Sequence, residues 1–308
     1  MTSMLRRKAE RIDDLAEAGG TSLAADAVRR MARSPVAITG AVITVLFVLL
    51  AILAPFLAPK NPYVPYDELR VNLRPDFIPG PMDGFVMGSD HRGYDFFSRL
   101  LVGAQQTLIV GVVATLIGLT VGMLIGGLAG ALGGWVDTLL MRFTDILLAI
   151  PSLLLAISIA ALFSQGTQWT VIIAVAVVSV PIFARLLRGA MLSQRSSDHV
   201  LAATALGVRR STIVFRHMLP NSLGPVVVQA TLTLATSIID VAALSFLGLG
   251  DNDPSRAEWG LMLAQAQNLL DVKPSLAFYP AIAIVVVALG FTLLGESLRE
   301  ALDPKNRR

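Results

Sequence analysis

Between positions 36 and 57 the chain runs 22 residues without a charged side chain. At the helical rise that is about 33 Å, enough to cross the hydrocarbon of a bilayer. A run of this kind excludes most soluble folds, and five more predominantly apolar runs follow it, at about 104–132, 138–163, 169–187, 223–249 and 277–294. Lipid leaves no water to satisfy a backbone, so such segments are expected as helices. The expected fold class is therefore an all-α membrane protein with six transmembrane helices. A hydrophobic content of 54% against 15% charge agrees, as does a mean hydropathy of +0.67.

Local signals set the boundaries. Ser34 and Pro35 read as an N-cap followed by a proline at the first helical position, where no N–H is needed. Residues 1–33 form a charged N-terminal tail too polar for a cleavable signal, with a short surface helix expected over 22–33. The first helix occupies 34–58, a polar loop 59–103, a five-helix core 104–294 and a basic tail 295–308. Within the second run Gly118, Gly122, Gly126 and Gly130 recur every fourth residue, so they share one face and allow a neighbouring helix to approach closely. Pro151 predicts a kink in the third run and Pro181 marks the fourth. The stretch 198–221, DHVLAATALGVRRSTIVFRHMLPN, is polar between two apolar runs. It reads as two short helical pieces broken at Gly207 and stopped at Pro220.

Charge gives an orientation. With both termini and the segment 189–220 in the cytoplasm, 18 of the 25 Lys and Arg fall inside, and the opposite orientation reverses this. The two long outer loops hold ten of the 22 acids.

Chemistry of the catalytic kind finds no support. The chain has no cysteine, and His91, His199 and His217 offer no helix-spaced metal-binding pair. It carries no phosphate-binding G-x-x-x-x-G-K-[ST] loop, no H-E-x-x-H and no G-x-S-x-G. Basic residues gather at membrane ends without aromatic platforms, so nucleic acid is not an expected partner. Asp240 is the one ionisable side chain expected well inside a span. It reads as a pore-lining or gating residue, or as an inter-helix hydrogen-bonding group.

Residues 201–220 resemble the E-A-A-x-x-x-G-x(9)-I-x-L-P signature of membrane subunits of ABC importers. Ala202, Ala203 and Gly207 fall on its alanines and glycine, and Leu219 with Pro220 on its end. GSDHRGYD at 88–95, SRL at 98–100, GGWVDTLLMR at 133–142, FRHMLPN at 215–221, LSFLGLG at 244–250, EWGLML at 258–263 and REALDP at 299–304 resemble the C-type permease of dipeptide and oligopeptide importers. The likeness spans nearly the whole chain after its first 30 or so residues. Leu201 stands where the signature has glutamate, Thr204 where these permeases commonly have a basic residue, and His217 at the isoleucine. Asp240 lies one residue before the glutamate usual in relatives, about 100° around a helix.

The resemblance implies a type I ABC importer permease fold in the cytoplasmic (inner) membrane, with both termini in the cytoplasm. It implies a second homologous permease, two ABC ATPase subunits that bind ATP and Mg²⁺, an extracytoplasmic substrate-binding protein and a peptide substrate. This chain would hold no cofactor itself. The loop 189–220 would couple to the ATPases through Val200, Leu201, Ala202, Ala203, Leu206, Gly207, Arg209, Arg210 and Pro220. In it Val200, Ala203, Leu206 and Ile213 are expected as apolar knobs, flanked by Arg209 and Arg210. The positive-inside rule alone also accounts for the arginines. A nickel or other small-solute permease of the same family is the alternative substrate class. A stand-alone secondary carrier is a different reading, which would show an inverted repeat and midplane ion ligands.

Overall fold

A computed structural model describes residues 23–302, and side chains from residue 27. The tail cluster Arg6, Arg7 and Lys8 and the basic end at 305–308 lie outside the described residues. Among those described, the regular structure is helical, apart from three isolated bridges, such as Met82 with Phe85, in the loop after the first long helix. In order the helices are α1 Leu23–Met31, α2 Pro35–Leu57, α3 Asp67–Arg70, α4 Phe96–Leu132, α5 Gly134–Ala149, α6 Ser152–Ala160, α7 Gln168–Arg195 and α8 Asp198–Ala205. Then come α9 Arg210–Phe246, α10 Trp259–Ala266 and α11 Ser275–Leu302. Five of these, α2, α4, α7, α9 and α11, are each long and apolar enough to cross a membrane. The pair α5 and α6 makes a sixth span if counted as one.

That pair differs from the expected kinked helix. It bends by 95° at the break, because Pro151 follows Ile150 in an extended conformation, φ −90° and ψ 131°. The residue before proline is driven out of the helical region, so the helix stops and restarts in a new direction.

Two helices begin earlier than their apolar runs. Asp95 caps α4, its Oδ2 accepting from Ser98 N at 3.0 Å, which starts the helix two turns before residue 104. The helix is 37 residues long. Pro220 does not stop the second piece of the polar stretch. Residues Ile213–Met218 form a π-helical turn, and Leu219 N–H bonds the Val214 carbonyl. The proline follows as the second residue of the next α-helical segment without interrupting it, so α9 runs on unbroken.

The most extensive helix packing is α4 on α7. Gly118, Gly122, Gly126 and Gly130 are all buried there. A Cβ at Gly122 would sit 2.6 Å from both the Val180 carbonyl oxygen and Phe183 Cβ, and one at Gly130 would sit 2.9 Å from Met191 Cβ. Of the other long helices, α9 packs on both members of this pair, α2 on α4, and α11 chiefly on α2 and α9.

At one end of the bundle lies the 198–221 stretch. At the other, residues 58–95 form a lobe that is tied down by its backbone. Lys273 Nζ donates to the carbonyls of Pro79, Met87 and Ser89 at 2.7, 3.3 and 3.0 Å.

Candidate functional site

The polar stretch is built around a tight turn. After α8, Gly207 N–H donates to the Thr204 carbonyl and Val208 N–H to the Ala203 carbonyl, at 3.0 and 3.1 Å. That is a Schellman motif, and it places Gly207 at φ +76°, a conformation costly for any residue with a Cβ. Sequence inspection finds the break, and the hydrogen bonds give its handedness.

The turn decides which side chains remain free. Val200, Ala203 and Ile213 are buried at 3%, 9% and 7% exposure, against Phe183, Leu187, Met191 and Met218. Three of the four expected knobs are therefore core residues that fix the loop to the helix ends. The exposed apolar surface is instead Leu206 at 84%, Phe215 at 70% and Leu201 at 55%, with Ala202 beside them.

Arg209 is exposed, but Arg210 has a defined task. Its Nη2 donates to the carbonyls of Ala131 and Leu132 at 2.7 and 2.9 Å. Those are unsatisfied acceptors at the C-terminus of α4, where a cation is also favoured by the helix dipole. The loop is thus fastened to the glycine-packed helix pair. Pro220 is exposed at the root of α9.

A second polar feature lies on α9. Gln229, Thr233, Thr236 and Asp240 are spaced 4, 3 and 4, so they fall within about 60° of one another around the helix. Gln229 and Asp240 are partly exposed, Thr236 is exposed and Thr233 is buried. Gln229 also lines a cavity of about 600 Å³ with Leu148, Ile182, Arg185, Gly189 and Pro225. Val241, at the position where the relatives' glutamate was expected, is 1% exposed. Asp240, one residue before it, is only partly buried.

Sequence reasoning did not assign roles to the buried charges at the opposite end. Arg99 is fully buried, and its guanidinium donates to the carbonyls of Pro254, Ser255 and Arg256 at 3.0, 3.4 and 2.8 Å. It lies 4.5 Å over the Tyr94 ring, with Asp90 Oδ2 at 3.5 Å. Glu258 caps α10 by accepting from Gly260 and Leu261 N–H. Burial pushes its carboxyl up from the ordinary range, partly offset by bonds from Ser245 and these two amides. Burial likewise lowers the Lys273 ammonium. The signal available was an arginine and a lysine beside spans without a nearby run of like charge.

Residues 96–308 match the family described as binding-protein-dependent transport system inner membrane component. Residues 22–75 match the N-terminal transmembrane domain of oligopeptide transport permease C. The chain belongs to the binding-protein-dependent inner membrane component family. Its relatives include the dipeptide transport system permease protein DppC of Alkalihalophilus pseudofirmus, 41% identical over 280 residues, covering 91% of this chain and 89% of that protein. The glutathione transport system permease protein GsiD of Shigella flexneri serotype 5b is 45% identical over 279 residues, covering 90% and 89%. Among solved structures, the inward-facing MetNI methionine ABC transporter gives a TM-score of 0.56 at 20% identity, over 67% of this chain and 97% of that one. That is a likeness of fold. The permease is accordingly a multi-pass inner membrane transport component with the type I importer architecture, rather than an enzyme.

Proposed function

We propose that this permease carries di- or oligopeptides across the cytoplasmic membrane as one subunit of an ATP-driven importer. Its relatives are named for dipeptide and glutathione, which supports a peptide over nickel. In this reading a second homologous permease completes the pathway, two ATPase subunits bind ATP and Mg²⁺, and an extracytoplasmic binding protein delivers the peptide. Both termini and the segment 189–220 lie in the cytoplasm, and the loop 59–103 lies outside, as the distribution of basic residues supports.

The observation that carries the mechanism is the construction of the loop. Leu201 and Ala202 on α8 and Leu206 at its C-cap are free, whereas Val200 and Ala203 anchor the same helix to the bundle. Arg210 ties the loop to α4, and α9 extends from it without a break. A displacement imposed on α8 by closing ATPases therefore reaches α4 and α9 as rigid bodies, which is what alternating access requires. Asp240 belongs to the route between the two permeases, since a partly exposed charge in lipid is expensive.

Leu206→Arg tests the loop. It places a charge on an 84% exposed position, so the fold is expected to survive. Copurification of the ATPases and peptide uptake in proteoliposomes should each fall at least about tenfold, the effect of ~1.4 kcal/mol at an interface. Normal ATPase recovery and normal uptake would refute the assignment.

A further inference from the structure

Of the acids on the spanning helices, most are answered internally. Asp137 is held by Arg188 through two bonds of 2.6 and 2.7 Å. Asp145 is held by Arg185 at 2.6 Å, and Glu296 has Arg299 at 3.8 Å. Asp240 has no hydrogen-bond or ion-pair partner among the described residues.

Its neighbours along α9 are partly bonded to one another. Gln229 Nε2 donates to Thr233 Oγ1 at 3.2 Å, and Thr236 Oγ1 donates to the Thr233 carbonyl at 2.9 Å. Of the acceptors, the Gln229 oxygen, the Thr236 lone pairs and the Asp240 carboxylate remain unspent, and of the donors the second Gln229 N–H and the Thr233 hydroxyl. This face of α9 is thus a polar strip about 16 Å long, starting at the 600 Å³ cavity and ending on Thr236, whose hydrogen is spent, and the negative charge of Asp240.

We propose that the end of this strip, the Asp240 carboxylate with the Thr236 oxygen one turn away, binds the free α-ammonium of a peptide during passage. The inference rests on the peptide-permease reading and adds the substrate group recognised and the residue that recognises it. An ammonium supplies three donors and one positive charge, the complement of a carboxylate beside unsatisfied acceptors. A metal ion fits less well. Among the described residues no three His, Cys, Asp or Glu side chains gather to hold one, and a single carboxylate is too few ligands for a dedicated site.

The absence of cysteine from the chain makes the test direct. Thr236→Cys, one helical turn from Asp240, gives the permease a unique thiol. The full transporter in nanodiscs is treated with cationic and anionic methanethiosulfonate reagents of similar size, and labelling of this chain is read by intact mass. The cationic reagent should react faster. An elementary charge one turn away in water changes the two rates in opposite senses, on the order of tenfold in their ratio. The thiolate itself favours the cation, so the rate ratio should fall about tenfold in Thr236→Cys/Asp240→Asn and hold in Thr236→Cys/Asp240→Glu. A dipeptide with a free amine should slow labelling more than its N-acetyl form.

Labelling with a ratio unchanged by Asp240→Asn would overturn ammonium recognition while leaving the face on a water-filled route. No labelling by either reagent, with ATP present or absent, would overturn that route as well. The same fall in the ratio in Asp240→Glu as in Asp240→Asn would overturn the role of the charge.

Discussion

Replacing Gly122 by alanine adds one methyl group between α4 and α7, and the geometry states what it must displace. An ideal Cβ at this position lies 2.6 Å from the Val180 carbonyl oxygen, 2.6 Å from Phe183 Cβ and 3.2 Å from Ala184 N, whereas ordinary contact begins at 3.4 Å. The Val180 oxygen and Ala184 nitrogen belong to backbone, which cannot rotate away as a flexible side chain could. The helices must part locally by about 0.8 Å, the difference between the two distances. A gap of that size forfeits between a quarter and a half of each dispersion contact it opens. With the strain of overpacking the change costs about 2–3 kcal/mol. At roughly 2–4 °C per kcal/mol the apparent Tm of the purified complex should fall by roughly 5–10 °C. Gly127→Ala is the internal control, because its nearest neighbour, Leu187 Cδ2, is 3.7 Å away and the added methyl makes an ordinary contact. Differential scanning fluorimetry on the two variants in the same detergent decides the matter. Equal melting temperatures for Gly122→Ala and Gly127→Ala would refute the claim that the close approach of α4 and α7 depends on the missing side chain.

Two further predictions concern the buried polar groups at the opposite end of the bundle. Glu258 has its carboxyl raised by burial, so between the unfolded value and the folded one the native state holds the extra proton. Its contribution to stability is present in full below the unfolded pKa, near 4.5, and is lost as pH rises through the folded pKa. Glu258→Gln keeps an oxygen acceptor for the α10 amides but cannot ionise, so wild type should lose stability relative to the variant as pH rises above that value; a pH-independent difference in Tm would refute this. Arg99→Lys keeps the charge but loses the planar fork that reaches three carbonyls, and should cost about 2–3 kcal/mol. Limited proteolysis should then cut faster within residues 251–257; an unchanged cleavage rate and Tm would contradict the tethering role.

The apolar runs were long enough, and proline and capping residues clear enough, for the helical class to be read from the chain alone. The four-residue spacing of Gly118, Gly122, Gly126 and Gly130 likewise defines a face without reference to any partner. What the spacing could not name was α7 as the helix packed on that face, because periodicity describes one helix and contact requires two. The same limit explains the loop. Val200, Ala203, Leu206 and Ile213 are all apolar, and nothing in their order tells a residue packed on Phe183 or Met191 from one left free. Only the placement of α8 against the ends of α7 and α9 separates Leu206, exposed, from the other three.

Arg210 and Asp240 mark the boundary between the two kinds of information. As sequence, Arg210 is one of several arginines beside a span, and Asp240 one acid within an apolar run. The chain by itself determined where they stand along their helices and that a charge at such a depth needs an aqueous or protein environment. The tertiary structure alone decided that Arg210 reaches the carbonyl end of α4 and that Asp240 is only partly buried. The physical reason is that hydrogen-bond partners and exposure are properties of surfaces brought together by packing, and those surfaces are distant in the chain.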